Sequence, residues 1–251
     1  MAAEERAVRP DYGNWVSWKL LSALGTAAII LFALSFLLFY LLIGAIAVLA
    51  VLVVFAYERY LFSPLGGNAQ VKLWDLLVDH LDWDGNGWAI DIGCGSGPVA
   101  IRVAKKHPNA KVVGLDYWGK VWEYSRTKCE RNTRIEKVDD RVSFQKGDAA
   151  KIPFEDGFFD AAVSNFALHE VGSVKDKRDV LNEALRVVRK GGKFAFQDLF
   201  TMKRYYHCEV DELLSTIRRW GVEDVALERT VEARIIPRPL REQAAMIWGT
   251  K

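Results

Sequence analysis

The chain has few cysteines, almost no net charge and no internal repeat, and each lack narrows what it can be. Its three cysteines, Cys94, Cys129 and Cys208, are odd in number and widely spaced. They form neither a disulfide framework nor a zinc-ligand pattern, which suits a reducing compartment and leaves no metal site to expect. The 34 basic and 32 acidic residues nearly cancel, so no electrostatic grip on nucleic acid is expected. No Asn-x-Ser/Thr sequon occurs, in keeping with a cytosolic catalytic part. A length of 251 residues suffices for one α/β domain with an appendage.

A different lack marks the N-terminal quarter. From Leu20 to Tyr57 there is no charged residue. As a single helix this stretch would run roughly 57 Å, against a hydrocarbon core of about 30 Å. Two helices joined between Ser35 and Gly44 fit the length better than one tilted helix continued as a stalk. The turn between them contains no Pro, Asn or Asp to satisfy its backbone. Buried helices of soluble domains rarely stay apolar on every face for so long. A secretory leader is not expected, given the length of the run and the acidic Glu4, Glu5 and Asp11 before it. Trp15, Trp18, Tyr57 and Tyr60 bracket the segment as interfacial aromatics do, with Lys19 and Arg59 beside them. The expectation is an integral membrane protein with a segment at 1–19, a transmembrane hairpin at 20–57 and a linker at 58–70. A hairpin returns both ends to one face, here expected to be the cytosolic one.

After the turn formers Ser63-Pro64-Leu65-Gly66-Gly67-Asn68, strand-like and helix-like runs alternate over 71–251, the pattern of a mostly parallel sheet with helices on both faces. Strands are predicted at Trp88–Ile92, Lys111–Leu115, Val142–Lys146, Phe159–Val163 and Lys193–Gln197. Helices are predicted at Val71–Leu81, Val99–Lys106, Lys120–Arg131 and Lys175–Arg189. In the last, Val180, Leu181, Ala184, Leu185 and Val188 share one face. The tail adds a helix near Glu209–Trp220 and strands near Val222–Glu228 and Ala244–Gly249.

The chemistry concentrates at Trp88-Ala-Ile-Asp91-Ile-Gly93-Cys-Gly95-Ser-Gly97-Pro98. An apolar strand ends in an acid, and a glycine loop then opens onto a helix at the carboxyl edge of the sheet, where open α/β sheets bind ligands. A pyrophosphate loop would place its third glycine one residue later, where Pro98 stands, and Asp91 would repel phosphate. The same carboxylate accepts hydrogen bonds from a cationic ligand. Asp116 ends the next strand, where a carboxylate can take both hydroxyls of a ribose. Asp148 follows the third strand, in register to accept from an exocyclic amine.

These motifs resemble the class I S-adenosylmethionine (SAM)-dependent methyltransferases, in the branch of ubiquinone- and sterol-type small-molecule enzymes. The resemblance rests on Asp-Ile-Gly-Cys-Gly-Ser-Gly (91–97), Gly-Leu-Asp (114–116), Gly-Asp-Ala (147–149), Ile-Pro-Phe (152–154), Phe-Asp-Ala-Ala-Val-Ser-Asn (159–165) and Leu-Arg-Val-Val-Arg-Lys-Gly-Gly (185–192). It implies a Rossmann-like sheet of seven strands with the last antiparallel. It also implies SAM held by Gly93, Gly95 and Asp116, adenine bordered by Asp148 and Ala149, and Asn165 near the methionine end. Tyr117 and Trp118 would stack on adenine or wedge against the following helix.

Methyl transfer from a sulfonium is an in-line displacement, so positioning the acceptor achieves much of the catalysis. A base helps when the acceptor must lose a proton. His169 is the leading base, with Glu170 as its orienting partner or as a charge for a cationic acceptor; the alternative is a histidine that caps the loop. Asp198, at the end of the fifth strand, faces the same crevice. Tyr205-Tyr206-His207 line an acceptor pocket or pack at the surface. Ala233–Arg241 mixes apolar and basic residues and suits a loop at an anionic membrane surface, a pocket lid or a stiff turn. The functional expectation is a membrane-anchored methyltransferase whose partners are membrane lipids and a small or lipophilic methyl acceptor. A SAM-binding scaffold without catalysis and a nicotinamide-dependent oxidoreductase are the alternatives.

Overall fold

The computed structural model describes residues 9–119, 124–229 and 243–251. The chain divides into two compact units, Gly13–Lys72 and a larger one that joins the residues up to Tyr12 with Leu73–Lys251.

The smaller unit is a helical hairpin of α1 (Trp18–Ser35) and α2 (Leu41–Phe62). These helices are about 27 and 33 Å long at ~1.5 Å per residue, and both are apolar enough to be candidate membrane spans. Their outward side chains stay uncovered: Ile29, Phe36, Leu37, Phe39 and Ile43 are all exposed. The connecting turn solves its backbone problem without Pro, Asn or Asp. Leu37 N–H donates to Leu34 O (3.0 Å), Leu41 N–H to Leu38 O (2.9 Å) and Leu42 N–H to Phe39 O (3.1 Å). Tight bonds of this kind pair groups that would otherwise be orphaned where water is absent. At the open end, the Arg59 guanidinium lies 4.2 Å from the Trp18 ring centroid and donates to the Val16 carbonyl. Asn14 Nδ2 donates to Arg59 O (3.1 Å).

The larger unit is a seven-stranded sheet carrying helices α3 (Ala69–Asp79), α4 (Pro98–Lys106), α5 (Arg126–Glu136), α6 (Lys177–Arg186), α7 (Lys203–Tyr206) and α8 (Val210–Arg219). Its strands are β1 (Gly87–Ile92), β2 (Ala110–Asp116), β3 (Val142–Lys146), β4 (Phe159–Asn165), β5 (Val188–Asp198), β6 (Asp224–Arg229) and β7 (Ala245–Thr250). They lie in the order β3-β2-β1-β4-β5-β7-β6. The first five are parallel, and β7 runs antiparallel between β5 and β6. The sheet core is built from β-branched and aromatic residues such as Ile90, Ile92, Phe159, Phe194 and Phe196, each contributing about 1.5–3 kcal/mol by leaving water.

Helices α5 and α6 and the start of β5, at Val188 rather than Lys193, differ from the sequence-based expectation for physical reasons. Helix α6 stops at Arg186 rather than 189. That guanidinium is bound by Glu183, Asp156 and the carbonyls of Ile152 and Phe154, and Val188 is already paired with Phe159 in the sheet. Helix α5 begins at Arg126 and runs to Glu136, because Ser125 is its N-cap and accepts from Lys128 N–H at 3.2 Å. The earlier part expected for it, 120–123, and the segment Ala233–Arg241 lie outside the described residues.

Candidate active site

Strand β1 delivers Asp91 to the carboxyl edge of the sheet, flanked by Gly114 of β2 and Val163 of β4. The carboxylate is buried and its Oδ2 accepts from Ala100 N–H in the first turn of α4 (2.9 Å). Burial pushes the Asp91 carboxyl up to about 7, the Ala100 hydrogen bond opposes the shift, and repulsion from Asp116 adds to it. The loop after β1 then needs glycine for steric reasons. Gly93 has φ +75°, and a Cβ there would stand 2.1 Å from the Ala167 Cβ. Gly95, at φ +56°, is overlain by the Tyr124 ring, 3.5 Å from where a Cβ would be. Gly97 caps α4 from the left-handed region.

Asp116 holds this loop from the end of β2. Its Oδ2 accepts from Gly95 N–H (2.8 Å) and its Oδ1 from Trp118 N–H (2.7 Å). Burial raises the Asp116 carboxyl, and these N–H groups oppose the rise. The Gly95 carbonyl accepts from the Trp118 indole (2.8 Å) and from Cys129 Sγ (3.1 Å). Trp118 therefore closes over the loop, whereas Tyr117 is exposed with Lys146 Nζ 5.4 Å from its ring centroid. Asp148 and Ala149 are half-buried beyond β3; Asp148 Oδ1 accepts from Ala150 N–H (2.9 Å). The preceding Gly147 N–H donates to Asp116 O (3.0 Å), so the ends of β2 and β3 are joined.

The other half of the crevice comes from β4 and β5. Asn165 ends β4, and its Oδ1 is buried with no hydrogen-bond partner among the described residues. A short helical turn, Leu168–Glu170, follows. His169 Nδ1 lies 2.5 Å from Asp198 Oδ1, its backbone N–H donates to Asp198 Oδ2 (3.1 Å), and its Nε2 is 3.2 Å from Glu170 Oε1. Burial pulls the imidazole down, but the carboxylates of Asp198 and Glu170 outweigh it and lift His169 to about 9. The hydrogen bond from His169 holds Glu170 below its ordinary value. Asp198 is fully buried at the end of β5. Tyr205 lies 5.3 Å from the imidazole, ring centre to ring centre. Tyr206 is instead wholly buried against Phe200, and His207 is exposed in the left-handed cap of α7. The two halves meet where Ala167 packs on Gly93.

Comparisons with known proteins agree with this arrangement. Residues 90–196 match the family model described as "Methyltransferase domain". The 27-O-demethylrifamycin SV methyltransferase of Amycolatopsis mediterranei is 33% identical over 147 residues, 57% of this chain and 50% of that protein. A ubiquinone/menaquinone biosynthesis C-methyltransferase, UbiE, of Geobacter sp. is 29% identical over 136 residues, 52% of this chain and 55% of that protein. The chain thus spans about half the length of these curated relatives. The fold is similar to that of the geranyl diphosphate C-methyltransferase of Streptomyces coelicolor A3(2), solved with Mg2+, geranyl diphosphate and S-adenosyl-L-homocysteine. The TM-score is 0.55 at 16% identity, covering 77% of this chain and 83% of that one. Residues 90–196 are thus a methyltransferase domain, on a fold shared with an enzyme solved with S-adenosyl-L-homocysteine.

A class I methyltransferase takes SAM as its cofactor, and the residues present fit that group. Gly93 and Gly95 let the loop pass close under Ala167 and the Tyr124 ring, with the Gly95 N–H held by Asp116 and its carbonyl by Trp118 and Cys129. Each Asp116 oxygen has one backbone donor and keeps acceptor capacity for a diol. Asn165 Oδ1 is a buried acceptor in need of a donor, and Asp116, joined by Asp91 where its raised carboxyl ionises, supplies negative charge toward a cation. Sequence reasoning missed Trp118 as a closure over the loop, and also Cys129, Tyr124 and Asn132, whose roles arise from packing of α5 and its approach against the loop.

Proposed function

We propose that this chain is a membrane-anchored methyltransferase that transfers a methyl group from SAM to a small or lipophilic acceptor whose attacking atom gives up a proton to His169. The observation that carries this reading is the Asp198–His169–Glu170 set, in which His169 and Glu170 sit on the turn that follows Ala167, the residue that packs on the glycine loop. A proton acceptor beside a cofactor loop is what acceptor deprotonation requires.

When bound, SAM supplies an electrophilic methyl group on a sulfonium. The proposed cofactor set is Asp91, Gly93, Gly95, Gly97, Asp116, Tyr117, Asp148, Ala149 and Asn165. Asp116 would receive the ribose hydroxyls, Asp148 and Ala149 would border adenine with Tyr117 at its rim, and Asn165 Oδ1 would accept from the ammonium. On the acceptor side, Asp198 fixes the ring orientation of His169 through Nδ1. Glu170 shares the Nε2 proton, so the resting imidazole is cationic at neutral pH. An acceptor that displaces Glu170 from Nε2 removes one of the charges that hold the imidazolium, so His169 gives that proton to solvent and then takes the acceptor's proton. Tyr205 offers a flat apolar wall next to the ring.

The small-molecule acceptors named for the relatives, a rifamycin derivative and quinone precursors, support this class. The exposed apolar faces of α1 and α2 support a bilayer anchor with the catalytic domain on the cytosolic face. An anchor raises the effective concentration of an acceptor dissolved in the same membrane.

The deciding experiment incubates full-length protein in lipid nanodiscs with methyl-labelled SAM and lipid-soluble phenols, quinols and thiols. Release of S-adenosylhomocysteine with label in the organic phase is expected. SAM binding without turnover on any acceptor would favour the scaffold reading.

A further inference from the structure

The residues just ahead of the hairpin belong structurally to the larger unit. Asp11 and Tyr12 run across the outer surface of α4 and α5 and are fixed there by backbone as much as by side chain. Asn132, fully buried in α5, accepts from Asp11 N–H through Oδ1 (2.9 Å). Its Nδ2 donates to Asp11 O (2.9 Å) and to Ser96 O (3.0 Å). Ser96, buried between Gly95 and Gly97, donates its hydroxyl proton to Tyr12 O (2.7 Å). Lys128 pairs with Asp11 Oδ2 (2.9 Å), and the Tyr12 hydroxyl donates to Glu136 Oε1 (3.2 Å). The Tyr12 ring meets Trp74 edge-on at 5.6 Å, and Arg102 lies over both rings.

This geometry has a chemical meaning. The front of the glycine loop is set by Asp116 through Gly95 N–H. The back of the loop is set at Ser96, through one bond to Asn132 and one to Tyr12. A buried amide that makes three bonds to two separate backbones pins both, and removing it leaves backbone groups unpaired.

We propose that Asp11–Tyr12 is a strap that holds the cofactor loop in its binding shape, with Asn132 as the positioning residue, so that cofactor affinity depends on a segment remote in sequence from the crevice. The inference rests on the SAM reading above and assigns it a control point. Helix α1 begins at Trp18, so a partner or a pull that lifts Asp11–Tyr12 off α5 loosens the loop without touching the crevice.

The test uses the full-length protein in nanodiscs and compares wild type with Asn132→Ala, Asn132→Asp and Ser96→Ala. Glu130→Ala, which removes a surface ion pair of the same helix, is the control. Asn132→Ala is expected to raise the SAM dissociation constant and KM by about tenfold or more, and Ser96→Ala by about threefold to tenfold, from the loss of their hydrogen bonds. Turnover at saturating SAM stays within about twofold, and the control keeps wild-type affinity. Asn132→Asp keeps the acceptor to Asp11 N–H but turns a buried oxygen onto the carbonyls of Asp11 and Ser96, so it is expected to bind SAM no more tightly than Asn132→Ala. Hydrogen exchange without cofactor is expected to speed up at residues 94–98 in both Ala variants. A lowered melting temperature with unchanged SAM affinity, or unchanged exchange at 94–98, overturns the strap. If wild type itself fails to bind SAM, the cofactor reading fails, and the exchange data alone decide whether the strap holds the loop. If Asn132→Ala does not fold, Ser96→Ala decides.

Discussion

The two halves of the crevice are built on different principles. On the β1–β2 side, carboxylates meet backbone: Asp91 accepts from Ala100 N–H, and Asp116 from Gly95 and Trp118 N–H. On the β4–β5 side, a carboxylate meets a titratable side chain: Asp198 meets His169. Backbone donors cannot change charge, so the donor geometry of the first half is fixed whatever the state of its Asp91 carboxyl, which burial lifts to about 7. An imidazole can change charge, so the second half has two protonation states and can do proton chemistry. On the proposed function, holding most of the cofactor and moving a proton fall to neighbouring pairs of strands, with Asn165 of β4 reaching across to the cofactor.

The sharpest way to break the comparison is to remove the titratable group. His169→Gln is expected to lower kcat by about 10²–10⁴-fold while leaving SAM affinity within about twofold, measured by single-turnover methyl transfer and by calorimetry. Equal losses in both would mean that the halves are not separable. Next in size, Asp116→Ala removes a charged acceptor of two backbone bonds. A loss of about 10–100-fold in SAM affinity is expected, since bonds to charged groups contribute about 1.5–3 kcal/mol each; undiminished affinity would dislodge Asp116 from the cofactor set. Gly93→Ala tests whether the shape of the loop is set sterically. A Cβ 2.1 Å from Ala167 at φ +75° should cost about 2–4 kcal/mol of stability from strain and overpacking together, read as a lower denaturation midpoint.

The smallest effect is the most specific. His169 is raised from its ordinary value to about 9 by Asp198 and Glu170. Its charged form therefore stabilises the fold fully below about pH 6.5, and that contribution is lost as pH rises through about 9. Stability of wild type minus that of His169→Gln should decline over this window. If His169 is the base, kcat/KM should climb over the same window, the reverse slope. A flat rate profile would leave the histidine as a loop cap.

How much of this was legible depended on sequence distance. The glycine loop is a local object, and so are the strands, whose cores were found to within a few residues. Val188 misled because its apolar side chain fits a helix face and a strand equally well, and only pairing with Phe159 decides between them. His169 and Asp198 were each visible as polar residues at strand ends, but their pairing spans 29 positions, which no periodicity encodes. Asn132 lies one residue beyond the helix expected at Lys120–Arg131 and nothing local marks it; its importance comes from Asp11, 121 positions away. Tyr206 reads as a pocket aromatic beside Tyr205, and only the packing of Phe200 shows that it points into the core.

Strand β7 occupies an interior slot of the sheet although it is the last described strand in sequence. During synthesis, both β5 and β6 emerge from the ribosome before Ala245–Thr250 exist to bridge them. Until then, β5 offers an unpaired row of N–H and C=O groups that other nascent chains can capture. Folding of the larger unit therefore waits on a late, long-range pairing of the slow kind, and a chaperone has a defined interval in which to shield that edge.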